Sequence, residues 1–200
     1  MLRRHVILAL VLCGSFAACD ATSINVVPTA TTMPLTATPI PADLSHVDWS
    51  NFTYPNPCAP PSPATVTVVN GVAAIGGQFH FSVSRPLYGD ITGDGVPEAV
   101  VPYDCVGADD LGTHVFVYSG NASAPHQIGD LPAHSEPQPD IASIYPDQMH
   151  IANHQLTLVG LGFTATAAHC CPDLRITNVY NWNGSSLVLA SHTVVPMPPS

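Results

Sequence analysis

The segment ITNVYNWNGSSLVLAS, residues 176–191, is the clearest structural signal in this chain. It lies within two strand-like stretches, 175–182 and 185–191, which are separated by Asn183-Gly184. An Asn-Gly pair between two such stretches favours a tight β-turn, because both residues accept the positive φ angles that this turn requires. The sequence therefore predicts an antiparallel hairpin near its C-terminal end.

Strand-like patterns continue upstream of this hairpin, whereas helical patterns are rare. The chain has 21 Pro and 14 Gly, which interrupt almost every window of helical length. Apart from Glu98, residues 98–103 are continuously apolar, which is typical of a strand buried on both faces. The other predicted strands are 65–69 and 72–75, joined as a hairpin through Asn70-Gly71, and 78–84, 113–119 and 155–163.

These patterns predict a mainly β fold, in which an antiparallel sheet curls into a small sandwich or barrel. One short N-terminal helical turn is expected at residues 43–51, DLSHVDWSN. About 155 residues are available for folding, which suits a single domain.

The N-terminus has the layout of a bacterial secretion signal. Arg3 and Arg4 precede an unbroken apolar run, residues 6–13, that is too short to span a bilayer. The sequence Phe16-Ala17-Ala18-Cys19 then resembles the lipobox of bacterial lipoproteins, in which the cysteine receives a diacylglyceryl group. The alternative is ordinary cleavage after an Ala-x-Ala-like site, which would leave Cys19 as a thiol.

The lipobox resemblance implies three parts. Residues 1–18 are a signal peptide, residues 19–42 are a lipidated cysteine with a Thr/Pro-rich disordered tether, and residues 43–200 are one extracytoplasmic β domain. We expect the mature protein to be held at the cell membrane by lipid on Cys19 and to be a monomer.

The charge of the chain excludes several partners. The formal charge is −10, and removal of Arg3 and Arg4 with the signal peptide lowers it to −12. Only Arg85 and Arg175 then remain as fixed cations, because the chain has no lysine. Binding to nucleic acid phosphates or to anionic lipid headgroups is therefore not expected, and the acyl chains must provide the membrane attachment.

Four cysteines lie in the predicted domain. An even number in an exported protein indicates disulfides, and four cysteines allow three pairings. We favour Cys58 with Cys105 and a bridge between the adjacent Cys170 and Cys171, and a crossed arrangement stays open.

Residues 90–98, DITGDGVPE, have the spacing of a calcium-binding loop. Oxygen-bearing side chains recur at alternate positions, and Gly93 and Gly95 allow the sharp bends that bring such oxygens to one centre. The segment resembles the calcium loops of FG-GAP and VCBS repeats, which also precede an apolar strand. The expected Ca²⁺ ligands are Asp90, Thr92, Asp94, the carbonyl of Val96, and Glu98. The alternative is a plain turn whose aspartates cap backbone amides.

A wider resemblance covers residues 43–192. The segments VDWSNFTYP (47–55), YGDITGDGVPEAVVPYDC (88–105) and HCCPDLRITNVYNWNGSSLVL (169–189), with Cys58 between the first two, resemble the LppP/LprE type of bacterial lipoprotein. This resemblance implies a small envelope-exposed domain of undefined activity and supplies no catalytic residues.

Signals for other chemistry are weaker. Residues 169–171, His-Cys-Cys, could bind zinc with His150 and His154, but zinc sites usually space their cysteines by two to four residues. The sequence has no nucleophile elbow, metalloprotease motif or phosphate loop. Asp109-Asp110 reads as a solvated turn. An aromatic face for a glycan or protein ligand could come from Trp49, Tyr54, Tyr180 and Trp182.

The sequence thus predicts a membrane-anchored bacterial lipoprotein with a non-catalytic structural or binding β domain, stabilised by calcium if the 90–98 loop binds the ion. The alternative is an exported hydrolase in which a histidine such as His114 or His150 works with a nearby carboxylate.

Overall fold

The computed structural model describes residues 43–58, 63–76, 79–107, 112–132, 137–168 and 170–198. All of these residues fall in one compact unit. The predicted signal peptide, Cys19 and the tether lie outside the described residues, as do Asp109-Asp110 and His169.

The fold class predicted from the sequence is confirmed, since the described chain is mainly β and all of its sheets are antiparallel. Its strands are β1 (Thr53–Pro55), β2 (Thr65–Thr67), β3 (Val72–Gly76), β4 (Phe79–Val83), β5 (Leu87–Gly89), β6 (Glu98–Val106), β7 (Thr113–Asn121), β8 (Ala124–Leu131), β9 (Ser143–Ile144), β10 (His150–Ala152), β11 (Gln155–Gly162), β12 (Leu174–Trp182) and β13 (Leu187–Pro196). The helices of the described residues are short 3₁₀ turns, at Leu44–His46, Trp49–Asn51 and Pro146–Gln148.

The strands form two larger sheets and one small one. The first sheet has the order β3-β4-β6-β7-β8, with β5 paired to the start of β6. The second has the order β10-β11-β12-β13, with β9 paired to β11. The small sheet pairs β1 with β2. The arrangement is sandwich-like, in agreement with the predicted architecture.

The core between the two larger sheets contains side chains from both of them. Val100 and Val117 come from the first sheet, and Leu158 and Ile176 from the second. Burial of such aliphatic side chains stabilises the fold by about 1.5–3 kcal/mol each. The second sheet therefore covers one face of the first.

The opposite face of the first sheet is covered by the N-terminal segment. Val101 and Phe116 point to this side and share a cluster with Trp49 and Tyr54. Consecutive residues of a strand point to opposite faces, so a strand covered on both sides is apolar at every position. This double coverage explains the apolar run that follows Glu98 in residues 98–103.

Two aspartates set up the predicted N-terminal helical turn. Asp43 Oδ1 accepts a 2.9 Å hydrogen bond from the amide of Ser45, and Asp48 Oδ1 accepts one of 3.2 Å from the amide of Ser50. Side-chain capping of this kind satisfies amides that have no partner within a helical turn. The single turn expected at 43–51 is thus two consecutive 3₁₀ turns.

The two Asn-Gly turns behave differently. Asn183-Gly184 connects β12 to β13, which pair along almost their whole length, so this predicted hairpin is confirmed. At Asn70-Gly71 the φ angles are 54° and 82°, as the turn requires, but only Val69 and Val72 bridge across it. The predicted 65–75 hairpin is wrong in its pairing, because β2 joins β1 and β3 joins β4.

The described cysteines form two pairs at bonding distance. Cys58 pairs with Cys105 across 47 residues, and Cys170 pairs with its neighbour Cys171. The first pair ties the segment after β1 to the end of β6. No helix within the described part of the chain has the length and hydrophobicity of a membrane span.

Candidate functional site

In the connection between β5 and β6, residues 90–98, acidic side chains accept a concentrated set of hydrogen bonds, and we call this segment of the described chain the acidic loop. Asp90 holds the middle of the loop: Oδ1 accepts a 2.7 Å hydrogen bond from the Gly93 amide, and Oδ2 one of 3.0 Å from the Gly95 amide. Asp94 Oδ1 accepts one of 2.8 Å from the Val96 amide. The loop aspartates therefore cap backbone amides.

Two glycines of the acidic loop have left-handed backbone conformations, with φ of 80° at Gly93 and 85° at Gly95. Residues with a Cβ atom rarely adopt such angles. The glycines allow the chain to fold around the Asp90 carboxylate, so that both of its oxygens face backbone amides.

Glu98, the last residue of the loop, holds the beginning of the loop and is completely buried, with 0% of its surface exposed. Its Oε2 accepts hydrogen bonds from the amides of Ile91 (2.8 Å) and Thr92 (3.0 Å). Its Oε1 accepts hydrogen bonds from the hydroxyls of Thr92 (3.3 Å) and Ser119 (3.0 Å). Four donors thus converge on one side chain, as a buried carboxyl group requires.

This arrangement does not suit a Ca²⁺ ion among the five predicted ligands. Such an ion needs oxygens with lone pairs directed at a common centre. Here the oxygens of Asp90 and Glu98 receive amide and hydroxyl donors of the surrounding chain. Within the described ranges, no group of three or more His, Cys, Asp or Glu side chains is arranged to hold a metal ion. Calcium binding by Asp90, Thr92, Asp94, Val96 and Glu98 stays a prediction.

The second sheet contributes one residue to the acidic loop. His154 lies in the turn between β10 and β11, and its Nδ1 is 3.1 Å from the backbone oxygen of Asp90 and 3.4 Å from Asp90 Oδ2. Nearby, a Cβ at Gly89 would lie only 2.9 Å from the side chain of Ile151, so glycine permits this close approach. The acidic loop is therefore supported from both sheets.

A cleft of about 710 Å³ lies beside the acidic loop. Loop residues 94–97 line it together with Asp43 and His46 of the first 3₁₀ turn, residues 119–121 of β7 and His126 of β8. Ser119 belongs to the cleft and also donates to Glu98, so the buried carboxyl group is one hydrogen bond away from the cleft surface.

The cleft carries negative charge. Hydrogen bonds from the Ser45 hydroxyl and amide, followed by one from His46, hold the pKa of Asp43 below its ordinary value of 3.8. Asp43 therefore stays ionised at neutral pH, and Asp94 adds a second carboxylate. Neither arginine nor lysine lines the described cleft. Its electrostatic field favours cationic or neutral ligands over anions.

Asp43, Ser45 and His46 have the residue types of a hydrolase triad but not its geometry. In a triad the serine bonds one imidazole nitrogen and the carboxylate bonds the other. Here the Ser45 hydroxyl donates to Asp43 Oδ1 directly, and His46 Nδ1 faces both Asp43 (3.2 Å) and Ser45 (3.4 Å). The His46 and Asp43 side chains are 67% and 46% exposed. This cluster caps a 3₁₀ turn.

The histidines singled out from the sequence are distributed over the fold. The ring of His114 lies beside that of Tyr103 in a tilted arrangement, with 5.8 Å between ring centres, and His150 is exposed on β10. The expected alternative of a zinc site with His150 and His154 is not formed by the described residues, because Cys170 and Cys171 pair with each other and His154 contacts Asp90.

The four aromatic residues proposed as a binding face do not share a surface, so that hypothesis is wrong. Trp49 and Tyr54 are buried beneath the first sheet, and Tyr180 is buried between the two larger sheets. Their rings pack in the core, as large aromatic side chains of a small β domain more commonly do. Trp182 is partly buried at the end of β12.

Comparison with known proteins adds no relative. No protein-family model, no curated protein and no solved structure matches this chain. The resemblance to LppP/LprE lipoproteins therefore depends on the sequence motifs alone.

Proposed function

We propose that this chain is a lipid-anchored extracytoplasmic protein whose β domain serves as a non-catalytic binding or structural module at the bacterial cell surface. The observation that carries the proposal is Phe16-Ala17-Ala18-Cys19 at the end of a secretion-signal pattern, followed by a Thr/Pro-rich stretch up to residue 42. A cysteine in this position is the acceptor for lipid in exported bacterial proteins of the resembled kind.

The cysteine pairs of the domain support an oxidising compartment. Disulfides persist outside the cytoplasm and are rare within it. Cys58–Cys105 and Cys170–Cys171 account for the cysteines of the described domain. An exported location explains why a domain with four cysteines has all of them in pairs.

The cleft beside the acidic loop is the surface that we propose for ligand binding. It combines two carboxylates, Asp43 and Asp94, with the imidazoles of His46 and His126 and the apolar surfaces of Val96 and Pro97. Clefts of about 300–1,000 Å³ are the usual size for small-molecule sites. The charge of this cleft selects for a neutral or cationic ligand, such as an amine or a basic peptide segment.

The anchor is tested by metabolic labelling of the full-length chain in a lipoprotein-processing bacterium. Cells are fed an alkyne-tagged fatty acid, and the protein is isolated from membrane and soluble fractions. We expect label on the wild-type chain in the membrane fraction and none on Cys19→Ala. Cys13→Ala is the matched control, because it removes the neighbouring cysteine of the signal segment, and it should label like wild type. Label that persists on Cys19→Ala, or its absence from wild type, would overturn the proposal.

A further inference from the structure

We propose that Glu98 takes the place of a metal ion in the acidic loop. Its buried side chain gathers the loop around itself by accepting hydrogen bonds, so that the loop keeps its conformation without a cation. Glu98 is then a positioning residue for the adjacent cleft. The role in ligand binding rests on the proposed function, whereas the role in loop structure does not.

The hydrogen-bonding capacity of Glu98 is fully used. The two oxygens of a carboxylate offer about four lone-pair sites. Oε2 accepts from two amides, those of Ile91 and Thr92, and Oε1 accepts from two hydroxyls, those of Thr92 and Ser119. An ion could reach this side chain only by displacing donors that the loop and β7 already supply.

The polarity around Glu98 is the reverse of that in a calcium loop. In a calcium loop, oxygens converge on a positive centre. In this loop, N–H and O–H groups converge on an acidic side chain that is 0% exposed. Asp90 and Glu98, whose spacing suggests ion ligands in the sequence, thus accept hydrogen bonds from the loop instead, Glu98 from residues 91–92 and Asp90 from Gly93 and Gly95.

Glu98 connects the loop to the cleft through two routes. The first is the Ser119 hydroxyl, which lies on the cleft surface. The second is the backbone itself. Glu98 holds the amides of Ile91 and Thr92 near the start of the loop and is also the first residue of β6, so it fixes the path of residues 94–97. Loss of the Glu98 acceptors should therefore loosen one wall of the cleft.

The first test is the metal dependence of the unmodified protein. The full-length chain is purified in mild detergent, and its thermal unfolding is followed with excess EDTA and then with millimolar Ca²⁺. We expect the same Tm in both conditions. A bound ion at 100 times its Kd would raise Tm by several degrees. A rise specific to Ca²⁺ and lost in Asp94→Ala would overturn the inference.

The second test measures the exchange rates of individual backbone amides. Hydrogen exchange of Ile91, Thr92, Gly93 and Gly95 is measured by NMR on the ¹⁵N-labelled chain. In Glu98→Met, we expect the Ile91 and Thr92 amides to exchange about tenfold faster or more, because both acceptor oxygens are removed. The Gly93 and Gly95 amides, which Asp90 holds, should change less.

Asp90→Asn is the matched variant and should give the opposite pattern, with faster exchange at Gly93 and Gly95. If Glu98→Met fails to fold, Thr92→Val removes one hydroxyl donor and leaves the carboxyl group in place. It should speed exchange of the Ile91 amide more than that of the Gly95 amide. Unchanged exchange at Ile91 and Thr92 in Glu98→Met would overturn the inference. Failure of the lipid labelling would overturn the proposed function and leave these measurements unaffected.

Discussion

The hydroxyl of Ser119 donates a 3.0 Å hydrogen bond to Oε1 of Glu98, across the boundary between β7 and β6. The two residues are 21 positions apart, and they flank the paired residues Ala99 and Tyr118, because Glu98 directly precedes Ala99 and Ser119 directly follows Tyr118. One hydrogen bond therefore links the organising residue of the acidic loop to the surface of the cleft.

Removal of this hydroxyl should destabilise the domain. Ser119→Ala removes the shorter of the two hydrogen bonds to Glu98 Oε1 and leaves the Thr92 hydroxyl as its remaining donor, which costs about 1 kcal/mol in the free energy of unfolding. Urea denaturation followed by tryptophan fluorescence measures this loss. Ser123→Ala is a suitable control, because its hydroxyl bonds Asn121 in an exposed turn and its loss should cost about 0.5 kcal/mol or less. Equal losses in the two variants would contradict the importance of the Ser119–Glu98 bond.

Two neighbouring tyrosines should respond differently to loss of their hydroxyls. The Tyr103 hydroxyl donates to Asp130 at 2.8 Å, whereas among the described residues the hydroxyl of the buried Tyr118 has no hydrogen-bond partner. Tyr103→Phe should lower the free energy of unfolding by about 1 kcal/mol, and Tyr118→Phe should be neutral or stabilising. The same urea titration measures both. A larger loss in Tyr118→Phe than in Tyr103→Phe would show that Tyr118 has a partner.

The Cys58–Cys105 pair should contribute most of the covalent stabilisation. It closes a loop across 47 residues, and the loop-entropy model gives about 4 kcal/mol for a loop of that size. The double variant Cys58→Ala/Cys105→Ala should therefore unfold at much lower urea concentration. Cys170→Ala/Cys171→Ala removes a bridge between neighbours, which closes almost no loop, and should cost far less. The opposite order would contradict the loop-entropy account.

The buried tyrosines predict how stability changes at alkaline pH. Burial, together with nearby ionisable groups, raises the pKa of Tyr54, Tyr103 and Tyr118 above the ordinary value of 10.0. In the unfolded chain these hydroxyls ionise near pH 10, while in the folded chain they stay protonated. Their contribution to stability is therefore complete below pH 10 and is lost as the pH rises further.

Ultraviolet titration near 295 nm tests this expectation. Absorbance from these three tyrosinates should appear only together with unfolding, as monitored by far-ultraviolet circular dichroism. Ionisation of the three buried rings before any loss of structure would contradict their burial.

The strands that the sequence predicts correctly are those whose own residues show a strand pattern without reference to the rest of the chain. The 98–103 run is apolar at every position after Glu98 because β6 is covered on both faces, and the 176–191 hairpin combines two strands with a suitable turn. The strand β8 was missed because it is polar, contains Pro125 and lies at the edge of the first sheet. An edge strand buries few side chains, so its sequence shows little apolar pattern.

Pairing between strands that are separated in the sequence is harder to predict than the turns. Asn70-Gly71 forms the expected turn, yet the Gly71 amide donates to the oxygen of Ser50 and the Val68 amide to that of Phe52. Contacts with the N-terminal segment thus separate β2 from β3. No pattern within residues 65–75 indicates those partners, since they are supplied by residues 50–52.

The acidic loop shows the same limit at the level of the site. Its spacing correctly indicated a loop with glycine bends and acceptor side chains at Asp90, Asp94 and Glu98. The sequence could not show that the donors would come from the loop's own amides and from Ser119 on β7. Nor could it show that His154 of the second sheet would lie against Asp90. These contacts depend on the packing of strands that are distant in sequence.

The mass of the intact mature protein, purified from bacterial membranes, tests the proposed anchor most directly. Mass spectrometry should show a chain that begins at Cys19 and is heavier than the polypeptide by a diacylglyceryl group, with or without a further acyl group. A chain that begins elsewhere, or that begins at Cys19 with the mass of the bare polypeptide, would contradict the account.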